Sequence, residues 1–206
     1  TLNSAVDNLC KNEFDHYRAK AEPHPMFIEH GIDAVPFAHE KMDEWRNNFK
    51  GIRYINEEAG YNFGGAVDDI WEKPNGDLIV IDVKSTSKNV FDWEDTYSKW
   101  EYAKGYRRQL EMYQWLLEQN GFNVASEGYL VYYNGKKHEP MFNQQLTFDL
   151  HLVKLKCDNS WVEEAVLNAK ATLDGDMPKP ARSCDNCNYL RKRWEVSQKD
   201  PNKLVE

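Results

Sequence analysis

Apolar residues spaced three or four positions apart predict amphipathic helices in four parts of the chain. These parts are residues 3–20, 40–50, 98–120 and 160–173. The third has the clearest apolar stripe and ends at Gly121, a residue type that often terminates helices. Its expected buried residues are Trp100, Ala103, Tyr106, Leu110, Tyr113, Leu116 and Leu117. The expected apolar residues of the first helix are Leu2, Ala5, Val6, Leu9, Phe14 and Tyr17.

Short apolar or alternating runs predict β-strands between these helices. The predicted strands are residues 52–56, 64–71, 78–86, 129–133 and 146–155. Residues 26–37 show no regular pattern, and Asn134-Gly135 is expected to form a turn. The order helix, strands, helix, strand, strand, helix predicts an α/β fold in which helices flank a mixed central β-sheet.

The length of 206 residues is enough for one domain with a full hydrophobic core. We expect this domain to occupy residues 1–182, which end in a proline-containing connector. Residues 183–206 are expected to form a cysteine-containing C-terminal segment and a charged tail. The chain has no apolar run long enough for a transmembrane helix and no signal peptide, so we expect a cytoplasmic protein without a membrane partner.

The predicted hairpin at residues 64–86 is the strongest candidate for chemistry. Asp82 and Lys84 lie one residue apart on a strand, so alternation places them on one face of the sheet. A carboxylate in an apolar strand is costly unless a cation compensates it. Carboxylates can hold Mg²⁺ or Mn²⁺ for phosphodiester hydrolysis, and the carbonyl of Val83 can add an oxygen ligand. The lysine can activate water or neutralise charge, so these residues indicate a nuclease centre.

The acid that partners Asp82 depends on the length of the hairpin loop. A two-residue turn at Asn75-Gly76 would place Asp69 opposite Asp82. A three-residue loop would instead place Asp68 there, on the same face. The residues alone leave both alternatives open.

Two polar side chains on the long helix share a face, because Gln109 and Tyr113 are one helical turn apart. Tyr113 fits a core position, but a glutamine beside it on the apolar side indicates a functional role. Arg107 and Arg108 precede this pair and are candidates for nucleic-acid binding through phosphate contacts. The net charge of −8 argues against a protein that coats nucleic acid, but it is compatible with a local basic groove.

Three motifs follow one another in the chain: Gly65-Ala66-Val67-Asp68, Ile81-Asp82-Val83-Lys84 and Gln109-Leu110-Glu111-Met112-Tyr113. Together they resemble the PD-(D/E)XK nuclease superfamily in its RecB-like branch, which includes the CRISPR-associated RecB-like exonucleases. The resemblance implies a restriction-endonuclease-like core, with Asp68 and Asp82 as metal ligands and Lys84 as the catalytic lysine. It also implies that Gln109 and Tyr113 help to place the substrate strand, and it favours Asp68 over Asp69.

The first helix departs from that family, whose members usually carry a histidine there as a further metal ligand. Asp7 stands at the place where this histidine would align. A carboxylate suits Mg²⁺ at least as well as imidazole does, so Asp7 is a candidate ligand. The alternative is an exposed acid near the start of a helix, which the helix dipole favours.

The cysteines are the second difference between this chain and the family pattern. Many RecB-like exonucleases hold an iron–sulfur cluster with one N-terminal and three C-terminal cysteines, whereas this chain has only Cys184 and Cys187 near its C-terminal end. Zinc or a cluster needs four ligands, so Cys10 and Cys157 or a preceding segment with further cysteines would have to complete the site. The alternative is free thiols in a reducing compartment.

The leading hypothesis is a Mg²⁺- or Mn²⁺-dependent deoxyribonuclease of the PD-(D/E)XK type. It would act as an exonuclease on DNA ends or single strands, in DNA repair, recombination or CRISPR adaptation. One alternative is a non-catalytic nucleic-acid-binding module in which Trp93, Tyr97 and Tyr106 stack on bases. Another is an adaptor subunit of a larger repair or CRISPR assembly, which would contact its partners through residues 86–98.

Overall fold

The computed structural model describes residues 1–94, 99 and 101–199. Tyr97, Trp100 and the predicted helix start at residue 98 lie outside the described residues. The chain divides into two compact units, Thr1–Val166 and Leu167–Glu206. The first unit contains the β-sheets and therefore all the strands that carry the predicted chemistry.

The first unit begins with helices and a small sheet. Its opening elements are α1 (Leu2–Arg18), α2 (Pro25–Glu29), β1 (Val35–Pro36), α3 (Met42–Trp45), β2 (Ile52–Asn56) and β3 (Tyr61–Gly65). The later elements are β4 (Asp69–Glu72), β5 (Leu78–Thr86), α4 (Glu101–Gln119), β6 (Val124–Gly135) and β7 (Phe148–Lys156). Helix α5 (Val162–Asp174) spans the division between the units, and α6 (Asp185–Lys199) lies in the second.

The main sheet has five strands in the order β1-β4-β5-β6-β7, and β2 pairs with β3 in a separate antiparallel ribbon. Within the described main sheet, the neighbouring strands β5 and β6 are parallel, and the other neighbouring pairs are antiparallel. Parallel neighbours need a crossover, and α4 supplies it. The mixed sheet with flanking helices confirms the predicted α/β, restriction-endonuclease-like fold class.

Strand β5 is buried on both faces, because different helices cover them. Leu78 and Val80 pack on the side of α4, in the same core as Leu110. Ile79 and Ile81 pack on the side of α1, in the same core as Phe14. Alternation therefore directs Asp82 and Lys84 toward the α4 side of the sheet.

Several local predictions were wrong. Residues 26–37 are only partly irregular: Pro25 opens α2, which the side chain of His24 caps, and Val35–Pro36 form the short strand β1. Asn134-Gly135 does not turn the chain: the Asn134 side chain exchanges two hydrogen bonds with the backbone of Lys88, and β6 continues to Gly135. On α1, Phe14 is buried as expected, but Leu2 and Leu9 are exposed and Cys10 is buried instead.

Two further elements also differ from the prediction. The strand predicted at residues 64–71 divides into β3 and β4, with a short connection at 66–68 between them. Within the predicted C-terminal segment, Asp185–Lys199 form a helix, α6, where no regular element was predicted. Within the described part of the chain, no helix has the length and apolar character needed to cross a membrane.

Candidate active site

The loop of the β4–β5 hairpin has three residues, 74–76. The Lys73 N–H donates to the Asp77 carbonyl at 3.0 Å, and the Gly76 N–H donates to the Lys73 carbonyl at 2.9 Å. Gly76 has a φ of 83°, a conformation that glycine adopts at little cost. A glycine in this conformation at the end of a three-residue loop is a common way to close a hairpin.

This loop sets the strand register. Asp69 pairs with Ile81, so one step further along the strands Asp68 lies opposite Asp82. The N–H of Val83 donates to Asp68 Oδ2 at 2.7 Å, which holds the carboxylate against β5. Of the two alternatives that the sequence left open, the structure therefore has the one with Asp68 beside Asp82.

Asp69 has a different environment on the α1 side of the sheet. It is fully buried and forms ion pairs with Arg18 and Arg46. Both arginines also pair with Asp15 of α1. A buried carboxylate with two guanidinium partners is satisfied as a structural element, which removes Asp69 from the candidate site.

Asp82 is the most deeply buried acid of the candidate site. Burial raises the pKa of Asp82 to about 7, and the nearby Asp68 carboxylate adds to the rise. Lys84 forms an ion pair with Asp82 and opposes this rise. The Lys84 ammonium also lies 4.5 Å from the centre of the Tyr106 ring. Asp68, Asp82 and Lys84 thus form one cluster at the end of β5.

Helix α1 brings Asp7 to the same cluster. Asp7 Oδ2 accepts a hydrogen bond from Lys11 Nζ at 2.8 Å, and Lys11 Nζ lies 3.7 Å from Asp68 Oδ1. Lys11 was not among the residues predicted for the site. Its only signal was the four-residue spacing from Asp7, which places the two side chains on one helical face. The cluster therefore contains two lysines among three acids.

Helix α4 brings Gln109 to the edge of the cluster, and its neighbour Tyr113 is buried in the core. The Gln109 side-chain amide donates to Tyr113 Oη at 2.9 Å, as expected for residues one turn apart. Burial raises the pKa of Tyr113 to about 12, and the charges of Asp82 and Asp68 add to the rise. The Tyr113 hydroxyl therefore stays protonated at neutral pH.

Several of these groups, though not Lys11 or Tyr113, line a cleft of about 370 Å³. Its lining includes Asp7, Asp68, Asp82, Val83, Lys84, Tyr106 and Gln109. Arg107 and Arg108 are not among the residues that line it. We call this the acidic cleft.

The acidic cleft has the donor chemistry of a site for a hard divalent cation. Its acids are carboxylates, which Mg²⁺ and Mn²⁺ prefer. Asp7 Oδ1 is buried and accepts no hydrogen bond from the described residues, and Asp82 Oδ2 is buried against the Lys84 ammonium. In the described part of the chain, no three acidic, imidazole or thiol groups are placed closely enough to form a metal site, and Lys11 and Lys84 pair with the acids instead.

Of the alternatives left open for the cysteines, one site formed by all four is wrong. Cys10 is buried on the α1 side of the main sheet and contacts Tyr133 Oη, whereas Cys157 is buried on the α4 side. All four cysteines are free thiols. Because the sheet separates Cys10 from Cys157, these two cannot share a metal ion.

Cys184 and Cys187 lie at the start of α6 in the second unit. The N–H of Cys187 donates to Cys184 Sγ at 3.3 Å. Hydrogen bonds from Cys187 lower the pKa of Cys184, and the same contact raises the pKa of Cys187. The second unit contains no third cysteine and no histidine, so its own residues do not fit a zinc or iron–sulfur site.

The fold and the acidic cleft together define a nuclease-like α/β protein. The chain belongs to the PD-(D/E)XK nuclease superfamily, whose model matches residues 1–191. A comparison with curated proteins finds no match.

Two solved structures are similar to parts of the chain. SSO0001 has 18% identity over 66% of this chain and 52% of its own, with a TM-score of 0.36. A protein of Eubacterium rectale described as a "putative exonuclease" has 16% identity over 73% of this chain and 55% of its own, also with a TM-score of 0.36. The similarity covers about half the length of each solved chain.

Proposed function

We propose that this protein is a metal-dependent nuclease that hydrolyses phosphodiester bonds in DNA, acting as an exonuclease on ends or single strands. One observation carries the proposal: Asp68, Asp82 and Lys84 converge on one face of the sheet, in a chain of the PD-(D/E)XK nuclease superfamily. The buried acid, its partner acid and the adjacent lysine are the groups that this chemistry requires.

Each residue of the cleft has a proposed role. Asp68, Asp82, Asp7 and the Val83 carbonyl would hold Mg²⁺ or Mn²⁺. When bound, such an ion supplies charge stabilisation for the phosphate and lowers the pKa of a coordinated water. Lys84 lies beside Asp82, where it can orient or deprotonate the attacking water or neutralise developing charge.

The residues of α4 would bind the substrate. The Gln109 side chain lines the acidic cleft and can position the strand through hydrogen bonds, while the buried Tyr113 hydroxyl accepts from the Gln109 amide and would orient it. Arg107 and Arg108 are exposed on the same helix and would contact backbone phosphates. Residues of α4 thereby join the catalytic centre to the rest of the strand.

The narrower assignments are also part of the proposal. The motif with Gln109 and Tyr113 supports the RecB-like branch, and with it a role in DNA repair, recombination or CRISPR adaptation, in the cytoplasm and with protein partners from such an assembly. Cys184 and Cys187 would supply two of the four ligands of an iron–sulfur cluster or zinc ion in the intact protein, and the other ligands would have to come from outside the second unit.

The proposal is tested with end-labelled single- and double-stranded DNA in the presence of Mg²⁺, Mn²⁺ or a chelator. We expect digestion only with a divalent ion, and a loss of about 10²- to 10⁴-fold in Lys84→Ala. Asp82→Ala should lose digestion as well. Lys154→Ala is the matched control, since it changes a strand lysine outside the cleft.

The outcomes separate catalysis from binding. If Lys84→Ala and Asp82→Ala digest DNA as fast as the parent while all remain folded, the cleft is not the nuclease centre. If the parent binds DNA but never cleaves it with any divalent ion, the protein is a non-catalytic binding module. Thermal unfolding of each variant establishes that the comparison is between folded proteins.

A further inference from the structure

A second pocket, of about 490 Å³, lies against helix α4. From α4 it is lined by Lys104, Arg107, Arg108 and Glu111, whose spacing places them in one stripe along the helix. Tyr106 and Gln109, which line the acidic cleft, belong to a different stripe. At 100° per residue the two stripes lie on opposite flanks of α4, so the helix separates the two concavities.

The second pocket is basic although the chain is acidic. Three cationic side chains converge on it, against the single carboxylate of Glu111, in a chain with a net charge of −8. Arg107 is exposed and has no hydrogen-bond or ion-pair partner among the residues that the structure describes. Its guanidinium is therefore available for a bidentate contact with a phosphate group.

The indole ring of Trp161 lines one side of the second pocket, and a hydrogen bond to Glu111 fixes its orientation. Its indole N–H donates to Glu111 Oε2 at 2.8 Å, and Glu111 Oε1 accepts from the Asp158 N–H at 3.1 Å. Both carboxylate oxygens of Glu111 thus have donors, and the indole ring is fixed by one of them. A ring held in this way loses little conformational entropy when a flat ligand stacks on it.

We propose that this pocket binds a nucleotide of a single-stranded nucleic acid, with its base against Trp161 and its phosphate at Arg107 and Arg108. The combination of a basic groove with an aromatic side chain on which a base can stack is typical of proteins that bind single-stranded nucleic acid. A base in a duplex is already stacked on its neighbours, so the pocket favours an unpaired strand.

This inference rests on the proposed nuclease function, because the nucleotide would belong to the strand that is cut. The pocket and the acidic cleft are separated by the thickness of α4, about 10–12 Å with side chains. A strand whose scissile phosphate lies at Asp82 and Lys84 would therefore cross α4 to reach Trp161. The strand would be held on both flanks of the same helix.

Binding of a fluorescent oligothymidine tests the proposal, measured over a range of salt concentrations. All proteins carry Lys84→Ala so that the probe is not cut. Arg107→Ala and Arg108→Ala should each weaken binding and reduce the slope of log Kd against log salt by about 0.7. Trp161→Leu should weaken binding about fivefold or more and leave the slope unchanged, because it removes stacking without removing charge.

Lys50→Ala is the matched control, since this exposed lysine lines neither concavity. The proposal is overturned if Arg107→Ala, Arg108→Ala and Trp161→Leu all bind the oligothymidine as the control does. If Trp161→Leu does not fold, the salt slopes of the two exposed arginine variants decide the question. A tighter Kd for duplex than for oligothymidine would also overturn it.

Failure of this inference and failure of the nuclease proposal give different results. A parent protein that digests DNA while the three pocket variants bind like the control is a nuclease without this subsite. A parent that never digests DNA, but whose binding depends on Arg107 and Trp161, retains the subsite and loses the nuclease assignment.

Discussion

Gly65 lies against the ring of Tyr113 so closely that a Cβ atom on Gly65 would come within 2.6 Å of Tyr113 Cε1. Gly65 ends β3 and opens the segment that leads to Asp68, while Tyr113 lies on α4 beside the acidic cleft. The absence of a side chain at Gly65 therefore allows the first and third motifs to meet. The glycine has a packing role that its place in the motif did not reveal.

Gly65→Ala should displace the Tyr113 ring and disturb its hydrogen bond with Gln109. We expect a loss of about 1–3 kcal/mol in the free energy of unfolding, from overpacking. A shift of about 1 Å in a positioning group can lower the cleavage rate about 10²-fold. Urea denaturation and DNA digestion measure the two effects.

Gly105→Ala on α4 is the control for this substitution, because a Cβ there meets no atom within 4 Å. Alanine should stabilise the helix at this position by about 0.5–1 kcal/mol. Equal stability losses in the two variants would show that contact with Tyr113 is not what constrains Gly65.

Substitutions of the adjacent acids Asp68 and Asp69 should change different properties, cleavage at Asp68 and stability at Asp69. Asp69→Asn should cost about 3–5 kcal/mol of stability, because it leaves the buried Arg18 and Arg46 without their shared counter-charge. Asp68→Asn should leave the fold intact and abolish cleavage, because Asp68 is a ligand in the proposed site. Chemical denaturation and digestion assays on both variants check this. A stable Asp69→Asn protein would contradict the structural role.

Divalent ions should stabilise the parent protein through Asp82. An ion at 100 times its Kd adds about 2.7 kcal/mol to the free energy of unfolding, which corresponds to about 2–4 °C in Tm per kcal/mol for a chain of this size. Asp82→Asn should lose this response. In chelator Asp82→Asn should be at least as stable as the parent, because burial disfavours the Asp82 charge more than the ion pair with Lys84 favours it. Thermal scans with Mn²⁺ and with chelator measure both effects.

An equal Mn²⁺-induced rise in the Tm of the parent and of Asp82→Asn would place the ion elsewhere. Asp77→Asn serves as the matched control, because Asp77 lies at the far end of the same hairpin and should keep the full response.

His24 should make stability fall in mildly acidic solution. It is buried, packs against Phe14 and Phe27, and accepts a hydrogen bond from the Met26 N–H with Nδ1. Burial lowers the pKa of His24, although Glu13 opposes this effect. A base whose pKa is lower in the folded state stabilises the fold above its unfolded pKa, about 6.5, and this stability is lost as the pH falls below that value.

Urea unfolding at a series of pH values between about 7 and 5 measures this effect. His24→Asn can still cap α2 but does not titrate, so its stability should fall less than that of the parent over this range. His16→Asn changes an exposed histidine of α1 and should behave like the parent. Identical pH profiles for His24→Asn and the parent would contradict the prediction.

The order of elements was largely predictable because it depends on local pattern. The periodicity of α4 and the apolar runs of β5 and β6 are properties of neighbouring residues, and all three elements form as expected. The mixed α/β sheet follows from their order. Strand alternation alone also places Asp82 and Lys84 on one face.

Predictions from the local sequence pattern were wrong where contacts with residues distant in sequence decide the local structure. Asn134-Gly135 has turn chemistry, but Asn134 hydrogen-bonds to Lys88, a residue distant in sequence, and the strand continues. The apolar positions of α1 identified only part of its buried face: Phe14 is buried as expected, but Leu2 and Leu9 are exposed and the sheet packs on Cys10 instead.

By itself, the sequence determined the fold class and the pair Asp82 and Lys84, because periodicity and strand alternation act over a few residues. Only the tertiary structure decided which acid joins that pair. The φ of Gly76 and the loop it closes set the register that brings Asp68 to Asp82, and two arginines distant in sequence hold Asp69 on the other face. The approach of Lys11 to Asp68 was likewise decided by packing between α1 and the sheet, which no local pattern contains.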